Sequence, residues 1–308
     1  MNTLTLNPSQ RSAILAAQAA EGGYAVPDPM GTHNDATRPR SKQCLSNDQD
    51  AGAAHYPSLV AAPPLHNALI STATWASDPG VGRTHNEDAI LCRPELGLYG
   101  VADGMGGFNA GEVASGIVIE TLERRLSSVP AGLDRSSLAS LLMSAINEAN
   151  AAVLRTSARR PECLGMGTTL ALLWLTPQGL IHAHIGDSRI YAYQNGQLRR
   201  LTRDHVIEEL PEVLRGRLGD ENAARKGILT RAIGAETLVE ADYQWYETIA
   251  GMLFLLCTDG LSDSLDEQDL QAKLGTTTSD LAQKLVNQAL DLGAADNISA
   301  LVVRVSKA

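Results

Sequence analysis

The chain has 308 residues, 44% of them hydrophobic and 19% charged, with a formal net charge of −10 and a pI near 5.2. That length suits one α/β domain of about 230 to 250 residues plus an extension. The acidic balance argues against a nucleic-acid or anionic-membrane surface, because phosphate-rich partners would be repelled overall. No apolar run reaches the roughly 18 residues that a bilayer span needs. Cys44, Cys92, Cys163 and Cys257 lie far apart with no Cys-x-x-Cys pair, which disfavours zinc and gives no disulfide framework. The expectation is a soluble, cytoplasmic monomer without nucleic-acid or membrane partners.

Residues 1–67 scatter Pro, Gly, Asn, Asp, Ser and Ala with no sustained period of two or 3.6. Such a segment buries too little apolar surface to offset its ordering entropy, so it is expected to be a disordered N-terminal extension, and residues 68–308 the folded domain. Ala13–Ala20 is short and interrupted by Gln18, which makes it a poor signal core. Ala68–Ser77 reads as a first strand, followed by a turn at Asp78-Pro79-Gly80. Arg83-Thr-His-Asn-Glu-Asp88 leads into a strand over Ala89–Arg93, and Pro94–Gly97 turns the chain into another, Leu98–Ala102, that ends in Asp103. There the sequence breaks into Gly104, Gly106 and Gly107, residues that let backbone carbonyls approach a ligand closely.

Glu112–Ser127 and Leu138–Leu154 carry apolar residues at helical spacing and predict two amphipathic helices. Strands follow at Leu170–Leu175 and Leu180–Ile185, the second running into Gly186-Asp187-Ser188-Arg189, and Ile190–Gln194, Asn195-Gly196 and Gln197–Leu201 form a hairpin. Thr202–Gly227 is polar and mixed, and reads as a mobile helical insertion. Tyr243–Thr248 and Met252–Cys257 read as another strand pair, and the second enters Thr258-Asp259-Gly260. Asp266–Leu274 and Ser279–Leu292 have helical spacing, and Ala295-Asp296-Asn297 opens a last strand, Ile298–Val305.

Four aspartates thus sit at strand ends or starts, Asp103, Asp187, Asp259 and Asp296, with Glu87 and Asp88 one hairpin away from Asp103. Converging carboxylates repel and raise one another's pKa unless cations hold them, which points to a hard-metal site. Oxygen ligands without paired Cys or closely spaced His favour Mg²⁺ or Mn²⁺ over zinc.

Eight ordered motifs carry a family resemblance. They are Arg83-x-x-Asn-Glu-Asp88, Val101-Ala-Asp-Gly-Met-Gly-Gly107 with Gly111-Glu112, Gly165-Met-Gly-Thr-Thr169, Ile185-Gly-Asp-Ser-Arg189, Leu201-Thr-Arg-Asp-His205, Leu229-Thr-Arg-Ala-Ile-Gly234, Cys257-Thr-Asp-Gly260 and Asp296-Asn297. In order and spacing, over about residues 70 to 306, the chain resembles bacterial PPM-type serine/threonine phosphatases of the protein phosphatase 2C family. The resemblance implies an α/β (α+β) fold, a four-layer α-β-β-α sandwich of two packed, mainly antiparallel sheets flanked by helices. It also implies a dinuclear centre of Mn²⁺ or Mg²⁺.

Carried over residue by residue, Asp103 matches the carboxylate bridging both metals and the Gly104 carbonyl a ligand of the second. Asp259 and Asp296 match the remaining ligands of the first metal. Asp88 matches a carboxylate holding the centre directly or through water, with Glu87 assisting and Asn297 beside the ligands. Asp187 matches the ligand of a third, weaker metal.

In the mechanism that the resemblance implies, a hydroxide shared by the two metals attacks phosphorus in line. Arg83 has the planar fork that suits two phosphate oxygens, so Arg83 and Asp103 are the expected catalytic residues, with Arg83 also binding substrate. Met105 stands where eukaryotic members have a histidine proposed as general acid, and methionine cannot donate a proton. Val206 stands where relatives often have a serine, and His205 is assigned to structure.

The implied function is hydrolysis of phosphoserine and phosphothreonine in proteins, opposing a bacterial Ser/Thr kinase and its targets. The alternatives are a phosphatase of sigma-factor regulators and a non-catalytic phosphoprotein-binding pseudophosphatase. Retention of every metal carboxylate speaks against the last. A metal-dependent nuclease could use similar acids, but the chain lacks an evident basic track.

Overall fold

The computed structural model describes residues 69–107, 110–207, 227–276 and 278–307. The expected extension over 1–67 and most of the expected insertion over Thr202–Gly227 lie outside the described residues, as does Cys44. Strands β1 (Leu69–Asp78), β2 (Asp88–Arg93) and β3 (Leu98–Met105) come first, followed by helices α1 (Ala110–Leu126) and α2 (Arg135–Arg159). Next are β4 (Gly167–Thr168), β5 (Leu170–Thr176), β6 (Gly179–Ile185), β7 (Arg189–Gln194) and β8 (Gln197–Arg200). The chain ends with β9 (Asp242–Tyr246), β10 (Leu253–Cys257), α3 (Asp259–Ser262), α4 (Glu267–Leu274), α5 (Leu281–Asp291) and β11 (Ile298–Lys307).

The strands form two sheets, ordered β1-β11-β10-β7-β8 and β2-β3-β5-β6-β9, with β4 paired to β3. Every described pairing is antiparallel. Because side chains alternate between faces, each inner strand serves two cores. In β3, Tyr99 and Val101 join β10's Phe254 and Leu256 and β11's Leu301, Val303 and Val305 between the sheets. Leu98 and Ala102 turn the other way, onto α1 and α2. Leu253, Leu255 and Cys257 face α4 and α5. The result is the expected α-β-β-α sandwich.

Helix α2 starts where Asp134 Oδ1 accepts the Ser137 N–H at 2.8 Å and ends just before Pro161. Its length and mean hydropathy of 1.2 would suffice to cross a bilayer, but Leu138, Leu142, Ala145, Ile146, Ala149 and Val153 are buried in the protein core. The same stripe that passes the membrane test is the one that holds the helix to its sheet.

One expected pairing is overturned. Tyr243–Thr248 and Met252–Cys257 do not pair with each other: β9 is an edge strand against β6, and β10 lies between β11 and β7 in the other sheet. Their compositions explain the split. Asp242–Tyr246 is polar and largely exposed, as an edge tolerates, whereas Leu253–Cys257 is buried on both faces and requires a central position. Gly251, at φ +93°, lies in the short connection between them, and its N–H bonds to Val305 O at 2.8 Å.

Candidate active site

Strand parity places the carboxylates. Asp103 shares the face of Tyr99 and Val101, and Asp88 the face of Ile90 and Cys92, so both belong to the layer between the sheets. The β2–β3 register sets Asp88 directly opposite Asp103. From the other sheet, β10 runs out through Thr258 into Asp259 at the start of α3, and Asp296 precedes β11. Asp187 lies in the bend between β6 and β7. All five aspartates are half-buried, at one end of the sandwich.

The five act on one another electrostatically. Burial, with the charges of Asp259 and Asp296, pushes Asp88 up to about 7. Burial, with Asp259 and Asp204, pushes Asp187 up to about 8. Asp103 is held well above the usual carboxylate range by burial and by Asp88, Asp259 and Asp187. Asp259 is raised by burial as well. One oxygen each of Asp88 and Asp259, Oδ1 in both, is buried without a hydrogen-bond partner. Buried oxygen atoms without donors, amid excess negative charge, fit hard divalent cations.

A stability test follows from the sign of these shifts. A carboxyl whose folded pKa is raised supports the fold while protonated and loses that contribution as pH rises through the folded value. For Asp88 and Asp187 the loss continues up to about 7 and about 8. The metal-free protein is therefore expected to melt at lower temperature at pH 8.5 than at pH 7. Added Mg²⁺ or Mn²⁺ should raise the melting temperature more at the higher pH. Scanning calorimetry at both pH values, with and without the cation, checks this; equal increments would contradict it.

The sequence reading missed the hydroxyls that hold Asp88. Its Oδ2 accepts from Thr258 Oγ1 at 2.9 Å and from Ser299 Oγ at 2.7 Å. Ser299 Oγ lies 2.8 Å from Ser77 Oγ, which accepts from Asn86 Nδ2 at 2.7 Å. An amide nitrogen can only donate, so the chain runs Asn86 to Ser77 to Ser299 to Asp88. These donors occupy Oδ2 and leave Oδ1 to the centre. The only sequence signal was the parity of Ser77 and Ser299, which face each other across the β1–β11 pair.

Asp103 is fixed through its backbone. Its N–H donates to Thr169 Oγ1 at 2.9 Å, and its carbonyl accepts from Thr168 Oγ1 at 2.7 Å and Thr169 N at 2.9 Å. This gives the Gly165–Thr169 motif a purpose. Gly104 N donates to Glu87 O at 3.2 Å, and a Cβ on Gly104 would lie 2.1 Å from Gly111 O, so only glycine fits where the hairpin meets α1. Met105 continues β3 and pairs with Gly167.

Arg83 sits on the loop between β1 and β2, half-exposed, with Nη2 2.9 Å from Asp296 Oδ2. Glu87 is raised by burial, against the opposing influence of Arg83 and of the Gly111 N–H at the start of α1. Asn297 is buried and bonds Glu87 N, Pro79 O and His85 O. His85 is exposed, and its carbonyl is what Asn297 holds.

His184, His205 and Asp242 form a second grouping of potential metal ligands. Arg231 Nη1 donates to Asp242 Oδ1 at 2.6 Å and lies 3.2 Å from His205 Nε2, so a guanidinium already supplies the positive charge there. His205 Nδ1 accepts from Gly186 N at 3.1 Å, and its ring stacks on His184 at 4.6 Å. Burial pushes His205 down to about 4. That is the structural role expected of His205. Val206 is buried and bridges Leu229. Asp204 is bound by Arg189 and Arg200, tying the segment after β8 to the Asp187 bend.

Known proteins share this sequence pattern and fold. Residues 82–292 match the family model for protein phosphatase 2C. The serine/threonine phosphatase stp of Listeria monocytogenes is 35% identical over 245 residues, covering 75% of this chain and 94% of that protein. The solved catalytic domain of the serine/threonine protein phosphatase PstP, in complex with two manganese ions, is 34% identical with a TM-score of 0.67, covering 77% of this chain and 99% of that one. PppA, described as a key regulatory component of the type VI secretion system in Pseudomonas aeruginosa, is 33% identical with a TM-score of 0.65, covering 76% and 97%.

Proposed function

The chain belongs to the protein phosphatase 2C family and is a metal-dependent serine/threonine protein phosphatase, and from that premise we propose which of its residues do the work. Asp103, Asp259, Asp296 and the Gly104 carbonyl would hold two divalent cations, Mn²⁺ or Mg²⁺, with Asp103 shared between them and Asp88 holding the centre directly or through water. Asp187 serves a third, weaker site. The observation that carries this reading is the pair of buried, partnerless oxygens on Asp88 and Asp259 beside the raised Asp103. Bound there, two cations supply an activated water near neutral pH and neutralise phosphate charge.

The side chains do the rest. Thr258 and Ser299 keep Asp88 oriented through Oδ2. Arg83 binds two phosphate oxygens of the phosphoserine or phosphothreonine; its bond to Asp296 places it beside a metal-holding carboxylate. Met105 has no proton to give, so the leaving alkoxide takes its proton from water or from another group at the centre. No serine or cysteine nucleophile is required, and no phosphoenzyme forms. The phosphoprotein substrates are those of an opposing Ser/Thr kinase, and the acidic chain works as a cytoplasmic monomer without nucleic acid or membrane.

Arg83→Ala tests the phosphate assignment. The variant should keep its Mn²⁺ affinity, raise KM and lower kcat/KM by about 10- to 10³-fold on p-nitrophenyl phosphate and a phosphothreonine peptide. Steady-state kinetics beside a calorimetric Mn²⁺ titration separates the two effects. Unchanged KM would remove Arg83 from substrate binding.

A further inference from the structure

The loop that presents Arg83, residues 79–87, contains neither helix nor strand, so something else must fix the guanidinium. Gly80 N donates to Asp78 Oδ1 at 2.8 Å, and Val81 N and Gly82 N donate to Ala294 O and Ala295 O at 3.0 and 3.1 Å. The bonds from Val81 and Gly82 set the first half of the loop against the segment that carries Asp296. The glycines permit the approach: a Cβ on Gly80 would lie 2.0 Å from Asp296 O, and one on Gly82 2.5 Å from Ala295 O.

One side chain closes both halves. Asn297 is 4% exposed, its Nδ2 donates to Pro79 O at 2.9 Å and His85 O at 2.8 Å, and its Oδ1 accepts from Glu87 N at 2.8 Å. Two carbonyls and one N–H leave only one orientation for the amide. Leucine could not make these bonds and aspartate could make only the one from Glu87. The three contacts fall at the start of the loop, two residues after Arg83 and four residues after it. Asn297's own N–H donates to Asp296 Oδ1 at 2.8 Å, while Arg83 Nη2 holds Oδ2.

We propose that Asn297 is the positioning residue for phosphate recognition: its side chain closes the 79–87 loop around Arg83 and sets the guanidinium at a fixed place relative to Asp296. The role rests on the assignment of Arg83 to phosphate. A guanidinium held in place before substrate arrives binds with less ordering to do, so loosening the loop should act on phosphate binding through Arg83. The Asp296 bond to the backbone N–H survives any replacement of the Asn297 side chain, and the loop's ties to the metal side, from Asn86 to Ser77 and from Gly104 N to Glu87 O, do not use that side chain, so Mn²⁺ affinity serves as the control.

The test is a double-mutant cycle on p-nitrophenyl phosphate with saturating Mn²⁺, using Asn297→Ala and Asn297→Asp, each alone and combined with Arg83→Ala. Calorimetric titrations with Mn²⁺ and with inorganic phosphate accompany it, and melting curves confirm that each variant is folded at the assay temperature. Asn297→Ala should raise KM and the phosphate dissociation constant by about 10-fold or more, with Mn²⁺ affinity changed less than about threefold. In the Arg83→Ala background it should add less than about a twofold loss. Asn297→Asp, which keeps the bond from Glu87 but not the other two, should behave the same way, and it carries the comparison if Asn297→Ala does not fold. Equal losses in both backgrounds, a matching loss of Mn²⁺ affinity, or no loss at all would overturn the positioning role. If Arg83→Ala itself leaves KM unchanged, the phosphate assignment falls and the positioning role falls with it. If Arg83→Ala raises KM while the Asn297 variants are silent, only the positioning role falls.

Discussion

Asp103→Asn is expected to lower Mn²⁺-supported turnover of p-nitrophenyl phosphate by about 10³-fold or more, equivalent to about 4 kcal/mol of barrier. The substitution is nearly isosteric, and the backbone bonds from residue 103 to Thr168 and Thr169 do not depend on the side chain, so the strand should keep its register. What changes is charge. Asp103 is the carboxylate whose pKa is pushed well above its usual range by burial and by three other aspartates, which marks it as the point where their fields meet. Removing its charge relieves that repulsion, so the metal-free variant should be at least as stable as the parent at pH 8 while binding Mn²⁺ far more weakly. Loss of activity together with loss of the fold would instead make Asp103 a structural residue.

Removal of metal should have an effect as large. Protein stripped with EDTA and dialysed should lose turnover by at least about 10³-fold and regain it on adding Mn²⁺, because among the described residues of the site no side chain is a nucleophile poised to act alone. The fold should persist through the cycle. The sandwich is held by three apolar clusters, between the sheets and between each sheet and its helices, that contain none of the site carboxylates. Far-ultraviolet circular dichroism of the stripped protein should therefore be unchanged at pH 7. Full activity after chelation would exclude the metal-dependent reading.

The architecture was legible where pattern and topology coincide. Asp88 and Asp103 could be placed together because a short turn after Arg93 forces an antiparallel hairpin, and the observed register sets them opposite each other. Asp259 and Asp296 were legible as strand-end acids in motifs whose order the family resemblance supplied. The partnership of β9 was not legible, because nearness in sequence suggested pairing with β10 while burial decided otherwise. Ser77, Thr258 and Ser299 were invisible for a different reason. A hydroxyl in a strand has no characteristic spacing, and its value as a donor to Asp88 depends on a register between strands distant in the chain. Asn297 could be placed beside the site, but its three bonds run to backbone groups of a loop, which no residue pattern encodes.

The most direct test of the central claim, that the clustered aspartates act by holding two catalytic cations, is a calorimetric titration of Mn²⁺ into metal-free protein, with p-nitrophenyl phosphate turnover measured at each ratio, on the parent and on Asp103→Asn. Parental activity should rise with occupancy until two equivalents are bound, and Asp103→Asn should neither bind two tight equivalents nor recover turnover. Near-parental turnover by Asp103→Asn with two tight equivalents bound would contradict the claim.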